Sequence, residues 1–181
     1  MRLFVAVEIP QEVKTTLEGF LKPLRATAKL SWSRLDNLHI TTQFIGEWPE
    51  ARLDEIERAL AGVPARGAID IAVKGIGWFP NERRPRVLWA GIGGGEPLRA
   101  LAQATGEGLA KAGVAIEERA FTPHLTLARI REPLLLGALR EAIESSPFAR
   151  DFAFGAFRAG TFYLYLSSGG RYTQLAGYGL E

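Results

Sequence analysis

Only two histidines occur in the 181 residues, His39 and His124, and each is followed at the second position by a threonine, Thr41 and Thr126. In extended backbone, side chains two residues apart leave the same face, roughly 6.5 to 7 Å apart. Each His-x-Thr would therefore offer one imidazole and one hydroxyl to a single small polar ligand. The spacers Ile40 and Leu125, with the following Thr42 and Leu127, would point the other way and anchor the strands in a core. Imidazole titrates near neutral pH, so one ring can take a proton while another delivers one. Hydrolysis of a phosphodiester needs both transfers, from the attacking water and to the departing sugar oxygen. The threonine hydroxyls, with Arg129 and backbone amides, can donate hydrogen bonds to the non-bridging oxygens. One His-x-Thr is usually an ordinary strand pattern. Its occurrence at both histidines gives it weight.

Other chemistries fit poorly. The absence of cysteine excludes disulfides, thiolate nucleophiles and cysteine-bearing metal sites. Two histidines without HExxH spacing would need further carboxylates to hold zinc, so no metal and no cofactor are expected. No G-x-S-x-G elbow is present. The net charge of +2 supplies no global field for nucleic acid, leaving any such attraction to local basic clusters.

The pattern of elements then has to position these residues. Residues 2–9 read as a buried strand, and Pro10 opens a helix with Val13, Leu17, Phe20, Leu21 and Leu24 on one stripe. From Ser31 to Phe44 the chain reads as short strands, with Leu38, Ile40, Thr42 and Phe44 alternating against His39, Thr41 and Gln43. A surface helix follows over 50–61, then strands at 68–79 and 86–92 joined by the turn Pro80 to Pro85. Pro97 sits near the start of another helix that ends about Gly113, although Gly106 and Gly108 fit it badly. A strand around His124 to Ile130, a helix from about Leu134 to Ser145 and three strands across 150–180 complete the chain, with a hairpin turn at Ser167 to Gly170.

Hairpin-like links between adjoining strands favour an α+β fold with mainly antiparallel sheet. The length and 47% apolar content fit one globular domain, residues 1–181. LHITTQF around residue 39 echoes PHLTLAR around residue 124, which points to two related lobes. The opening MRLFVAVEIP reaches Glu8 and Pro10 too soon for a signal peptide or membrane span, so a cytoplasmic protein is expected; a monomer is expected as well.

The paired motifs resemble those of the two-histidine phosphoesterase superfamily, and specifically its RNA 2',3'-cyclic phosphodiesterase branch, the LigT or ThpR group of 2'-5' RNA ligases. RLFVAVEIP, LHITTQFIGEW, RPRVLWAGI, FTPHLTLARI and LYLSS carry the resemblance. It implies a bilobal fold, two mainly antiparallel sheets flanked by outer helices, with a central groove lined by one motif from each lobe. It implies that His39 is the general acid and His124 the general base, with Thr41, Thr126 and Arg129 on the phosphate. The implied substrate is RNA ending in a 2',3'-cyclic phosphate, or a nucleotide 2',3'-cyclic phosphate, giving a 2'-phosphomonoester. Weak reversible 2'-5' ligation would use the same histidines. A non-catalytic nucleotide- or RNA-binding module and a phosphodiesterase of small cyclic nucleotides stay open as alternatives.

Several residues carry a plainer reading beside a functional one. Arg83, Arg84 and Arg86 at the expected hairpin tip could contact RNA phosphates or simply be solvated. Phe44, Trp78, Phe79 and Phe121 could stack on a base, but aromatics in strand patterns are more often core, and of these Phe121 lies nearest His124 in sequence. Gly91, Gly93, Gly94 and Gly95 lack the lysine and hydroxyl of a phosphate loop and read as a strand-to-helix turn. Tyr163, Tyr165, Ser167 and Ser168 could border the groove.

Overall fold

The computed structural model describes residues 1–117, 119–132 and 135–181. The apolar run after Met1 forms β1 (Arg2–Glu8), and Pro10 in extended conformation leads into α1 (Gln11–Arg25), whose Val13, Leu17, Phe20, Leu21 and Leu24 are buried as their spacing predicts. A two-residue strand, β2 (Ser31–Trp32), precedes β3 (His39–Glu47). The helix expected over 50–61 opens with a 3-10 turn, Glu50–Arg52, and continues as α2 (Leu53–Ala61). Next come β4 (Ile69–Phe79), β5 (Val87–Gly93), α3 (Gly95–Lys111) and β6 (His124–Arg129). The chain ends with α4 (Gly137–Glu144), β7 (Ala153–Ala159), β8 (Thr161–Ser168) and β9 (Arg171–Gly179). The start expected for α4, Leu134, lies outside the described residues.

All strand pairs are antiparallel, as the hairpin-like links suggested. They form a four-stranded sheet ordered β3-β1-β8-β9 and a five-stranded sheet ordered β2-β6-β5-β4-β7. Each histidine strand belongs to a different sheet, and β3 and β6 approach one another across the two. Leu3, Val5, Val7 and Ile40 from the first sheet, and Leu88, Ala90, Leu125 and Leu127 from the second, are buried in the main core with the apolar stripes of the helices. The opposite faces of both sheets are therefore left for other work.

The two glycines that argued against α3 are explained by what the helix packs on. A Cβ at Gly106 would come 2.7 Å from the Gln43 amide on β3, and one at Gly108 would come 3.2 Å from the Ala59 carbonyl on α2. Their low helix propensity, about 1 kcal/mol each, is offset by close approach of the helix to its neighbours. Gln43 exploits that approach, donating from Nε2 to the Ala102 carbonyl at 2.8 Å. The glycine run forms the predicted strand-to-helix turn, with Gly95 at φ +56° where side chains are disfavoured.

Candidate active site

His39 opens β3 and His124 opens β6, so each ring stands where a loop enters a strand. The residues two positions upstream orient both. His124 Nδ1 donates to the Thr122 carbonyl at 2.8 Å, and the backbone of Asn37 makes the corresponding bond to the His39 ring. A carbonyl can only accept, so the proton is held on Nδ1 of His124 and Nε2 is left facing outward with its lone pair.

The cross-strand register fixes which residues share each histidine's face, because directly opposed residues in an antiparallel ladder project to the same side. On β3, His39 opposes Glu8 and Thr41 opposes Ala6. Strict alternation would then put Gln43 beside them and send Phe44 into the core. Instead a bulge falls after Thr41, so that Gln43 opposes Val5 on the core side and Phe44 opposes Phe4 on the histidine side. Thr42, at the bulge, is buried and donates to the Val5 carbonyl. Phe44 is 64% exposed, which corrects the expectation that it is core.

β6 repeats the arrangement. His124 opposes Gly91 and Thr126 opposes Trp89, but Ala128 opposes Leu88 and Arg129 opposes Val87, so another bulge lies between Thr126 and Ala128. Arg129, an odd number of residues from His124, would point away without it. The bulge returns its exposed side chain to the face of His124 and Thr126. Thr41 and Thr126 are half-buried on their histidines' faces.

Around His39 the face is aromatic. Phe4, Ala6 and Tyr165 form a small apolar cluster distinct from the main core. The His39 ring stacks on Phe4 at 4.7 Å and on Tyr165 at 5.7 Å, and meets Tyr172 edge-on at 4.9 Å. Burial among these rings pulls the His39 imidazole down to about 4, with the Lys14 charge pulling the same way and the Asn37 carbonyl opposing both. Burial likewise pushes the Tyr165 phenol up to about 12, so it meets His39 as a neutral ring. The Asn37 side chain also donates to the Gly170 carbonyl at 2.9 Å, tying the β8–β9 turn to the residue that orients His39.

Around His124 the support is different. Phe79 meets its ring edge-on at 5.1 Å and lies 5.2 Å from Trp89. Trp89 lies against Gly77, where a Cβ would come 2.1 Å from the indole. Ser33 reaches over from the segment before His39 and donates from Oγ to the Thr126 carbonyl at 2.7 Å. Phe121, the aromatic nearest His124 in sequence, instead packs half-buried against the main core, as does Trp78. Spacing along one strand could not have found Phe79 or Tyr172, since both arrive from other strands.

The sequence of this chain matches the model of LigT-like phosphoesterases over residues 7–89 and 93–171, which takes in both histidine strands. The chain belongs to that family. Within it, the chain is 33% identical over 168 residues to the RNA 2',3'-cyclic phosphodiesterase of Methanocaldococcus jannaschii, covering 93% of this chain and 92% of that one. It is 36% identical over 131 residues to the RNA 2',3'-cyclic phosphodiesterase of Archaeoglobus fulgidus, covering 72% and 73%. The crystal structure of TT0787 of Thermus thermophilus superposes with a TM-score of 0.79 at 29% identity, covering 99% of this chain and 98% of that one. As in that structure, the LigT-like phosphoesterase described here is an α+β protein with two antiparallel sheets. Among its described residues, no group of three or more His, Cys, Asp or Glu could hold a metal ion, and no helix is long and apolar enough to cross a membrane.

Proposed function

We propose that this LigT-like phosphoesterase hydrolyses RNA 2',3'-cyclic phosphate ends, and nucleotide 2',3'-cyclic phosphates, to 2'-phosphomonoesters by acid-base catalysis without a metal. The observation that carries the reading is the repeated face: each sheet presents a histidine, a threonine and, past a bulge, a third side chain on the side turned from the main core. The relatives named as RNA 2',3'-cyclic phosphodiesterases supply the substrate class.

In this mechanism His124, with its proton fixed on Nδ1 by Thr122, removes a proton from water through Nε2. The water oxygen bonds to phosphorus, the bond to the sugar 3' oxygen breaks, and His39 delivers a proton to that oxygen. Thr41, Thr126 and Arg129 hold the non-bridging oxygens, Arg129 with a planar fork suited to them. His39 is neutral in the free protein at neutral pH, because its imidazole lies near 4. An anionic phosphate beside it favours the imidazolium, so substrate binding brings in the proton that the acid step uses. Phe44 projects past Thr41 with most of its ring exposed, offering a flat surface to the terminal base. With a 5'-hydroxyl in place of water, the same two transfers would form a bond from that oxygen to phosphorus, break the bond to the 3' oxygen and protonate it, a weak 2'-5' ligation whose reverse restores the cyclic phosphate.

The test is digestion of an RNA oligonucleotide ending in 2',3'-cyclic phosphate in the presence of EDTA, with the product identified. A 2'-phosphate end formed at undiminished rate is expected. Loss of turnover in EDTA would overturn the metal-free mechanism, and a 3'-phosphate product would reverse the leaving oxygen. Binding without turnover of any cyclic phosphate would favour the non-catalytic module.

A further inference from the structure

Among the described residues, four arginines are paired with a carboxylate, whereas a cluster of five near the second histidine is not. Arg25 pairs with Glu18 at 2.7 Å, Arg52 with Glu55 at 2.7 Å, Arg58 with Asp54 at 2.6 Å and Arg99 with Glu96 at 3.2 Å. At the β4–β5 turn and the end of β6, five exposed arginines, Arg83, Arg84, Arg86, Arg129 and Arg131, have no carboxylate partner among the described residues. Only Glu82 and Glu132 are interspersed with them. This one end of the second sheet therefore carries more positive charge than the +2 of the whole chain.

The cluster is ordered and continuous with the site. Asn81 Oδ1 accepts from the backbone amides of both Arg83 and Arg84 at 3.0 Å, which fixes the turn and leaves their guanidinium groups outward. Arg140 clamps the same turn from α4, donating to the Glu82 carbonyl while its guanidinium lies over Trp78 at 4.9 Å. Arg86 donates to the Arg131 carbonyl at 3.2 Å, joining the turn to β6. The turn begins one residue after Phe79, whose ring touches His124, and Arg129 next to it shares the face of His124 and Thr126. Arg86 stands five positions before Gly91, the residue opposite His124, a run of roughly 17 Å.

We propose that Arg83 and Arg84, with Arg86 and Arg131 behind them, form a track for the phosphates of an RNA strand on the 5' side of its cyclic end. The inference rests on the function proposed above and narrows it: the preferred substrate is an oligonucleotide rather than a free nucleotide. Guanidinium groups free of carboxylates, on a turn whose backbone is fixed, bind phosphate oxygens without first breaking an ion pair, and a nucleoside 2',3'-cyclic phosphate has no second phosphate to reach them.

The experiment compares a short RNA ending in 2',3'-cyclic phosphate with the mononucleotide 2',3'-cyclic phosphate, for the wild type, the double variant Arg83→Gln/Arg84→Gln and the control Arg58→Gln. The wild type is expected to show a lower KM for the oligonucleotide. The double variant should raise that KM about fivefold to tenfold and make the dependence of log kcat/KM on log salt shallower by about 1.4, two single-strand contacts' worth. Mononucleotide turnover should be unchanged in both variants. Equal KM for the two substrates in the wild type, or an oligonucleotide KM untouched by the double variant, would overturn the track. Failure of the wild type to turn over even the mononucleotide would instead strike the underlying phosphodiesterase reading.

Discussion

Phe44 and Arg129 occupy the same place on two different strands: each stands three residues beyond its motif threonine, brought to the histidine face by a bulge directly after that threonine. Equivalent backbone thus carries a flat apolar ring in one sheet and a cation in the other. The difference predicts separable defects. Arg129→Met is expected to lower kcat/KM about a hundredfold on any cyclic phosphate, through lost stabilisation of phosphate charge. Phe44→Ala should cost about tenfold on a nucleotide, the value of one stacked base. It should cost nothing on a cyclic phosphate lacking a base. Because both side chains are exposed, thermal unfolding of either variant should stay near wild type. Steady-state kinetics on the paired substrates, with a melting curve for each variant, check this, and equal losses for Phe44→Ala on both substrates would contradict the stacking role.

The His39 imidazole, held near 4 by burial among Phe4, Tyr165 and Tyr172, makes a second prediction about protons. Bound phosphate should raise it, so inhibitor binding at pH 6 is expected to take up protons. Calorimetry in buffers of different ionisation enthalpy reads this directly, and imidazole NMR of the free and phosphate-saturated protein should show the His39 midpoint moving up. An unmoved midpoint would argue against His39 as the acid.

The same shift has a consequence for stability. The unfolded chain binds a proton at its histidine near the ordinary value of about 6.5, the folded chain only near 4. Between those values the unfolded state holds more protons, so the contribution is complete above about pH 6.5 and lost as pH falls toward 4. In His39→Asn, which does not titrate, the decline of melting temperature over that window should be shallower than in wild type.

Much of this was legible in the sequence. The strands, the helices, and the pairing of His39 with Thr41 and of His124 with Thr126 follow from period-two and helical patterning, while the placement of these motifs in separate lobes follows from the echo between them and from the family resemblance. The bulges do not, because TTQF and TLAR read as uninterrupted alternation, and a single inserted residue changes the side of everything after it. Phe44 accordingly reads as core, and Arg129, a phosphate donor by its chemistry and by the family resemblance, has the wrong parity for that face until the bulge is seen. Phe79 and Tyr172 reach the histidines from other strands, a relation that no local spacing contains. Nor could α3's glycines be understood until Gln43 and Ala59 were seen against them.

Gly77 offers a test of the floor beneath Thr126. A methyl group there would overlap Trp89, which opposes Thr126 across the ladder. Gly77→Ala should destabilise the fold by about 1–3 kcal/mol, lowering the melting temperature by roughly 2–10 °C for a chain of this size. It should also reduce kcat/KM as Trp89 is displaced. Gly137→Ala, where nothing lies within 4 Å of the added carbon, should be neutral or slightly stabilising by the same measurement.

His124 and Thr122 decide how the base is held. An asparagine at 124 can place its amide NH₂ near the position of Nδ1 and keep the bond to the Thr122 carbonyl, but it has no group that accepts a proton at neutral pH. His124→Asn is therefore expected to melt within a few degrees of wild type, bind the 2'-phosphate product, and lose roughly 10²- to 10⁴-fold in kcat. His124→Ala should lose at least as much activity. Measuring kcat, product affinity and melting temperature on the same preparations separates chemistry from folding. Retained turnover in a well-folded His124→Asn protein would remove His124 from the reaction and leave the water to be activated by another group.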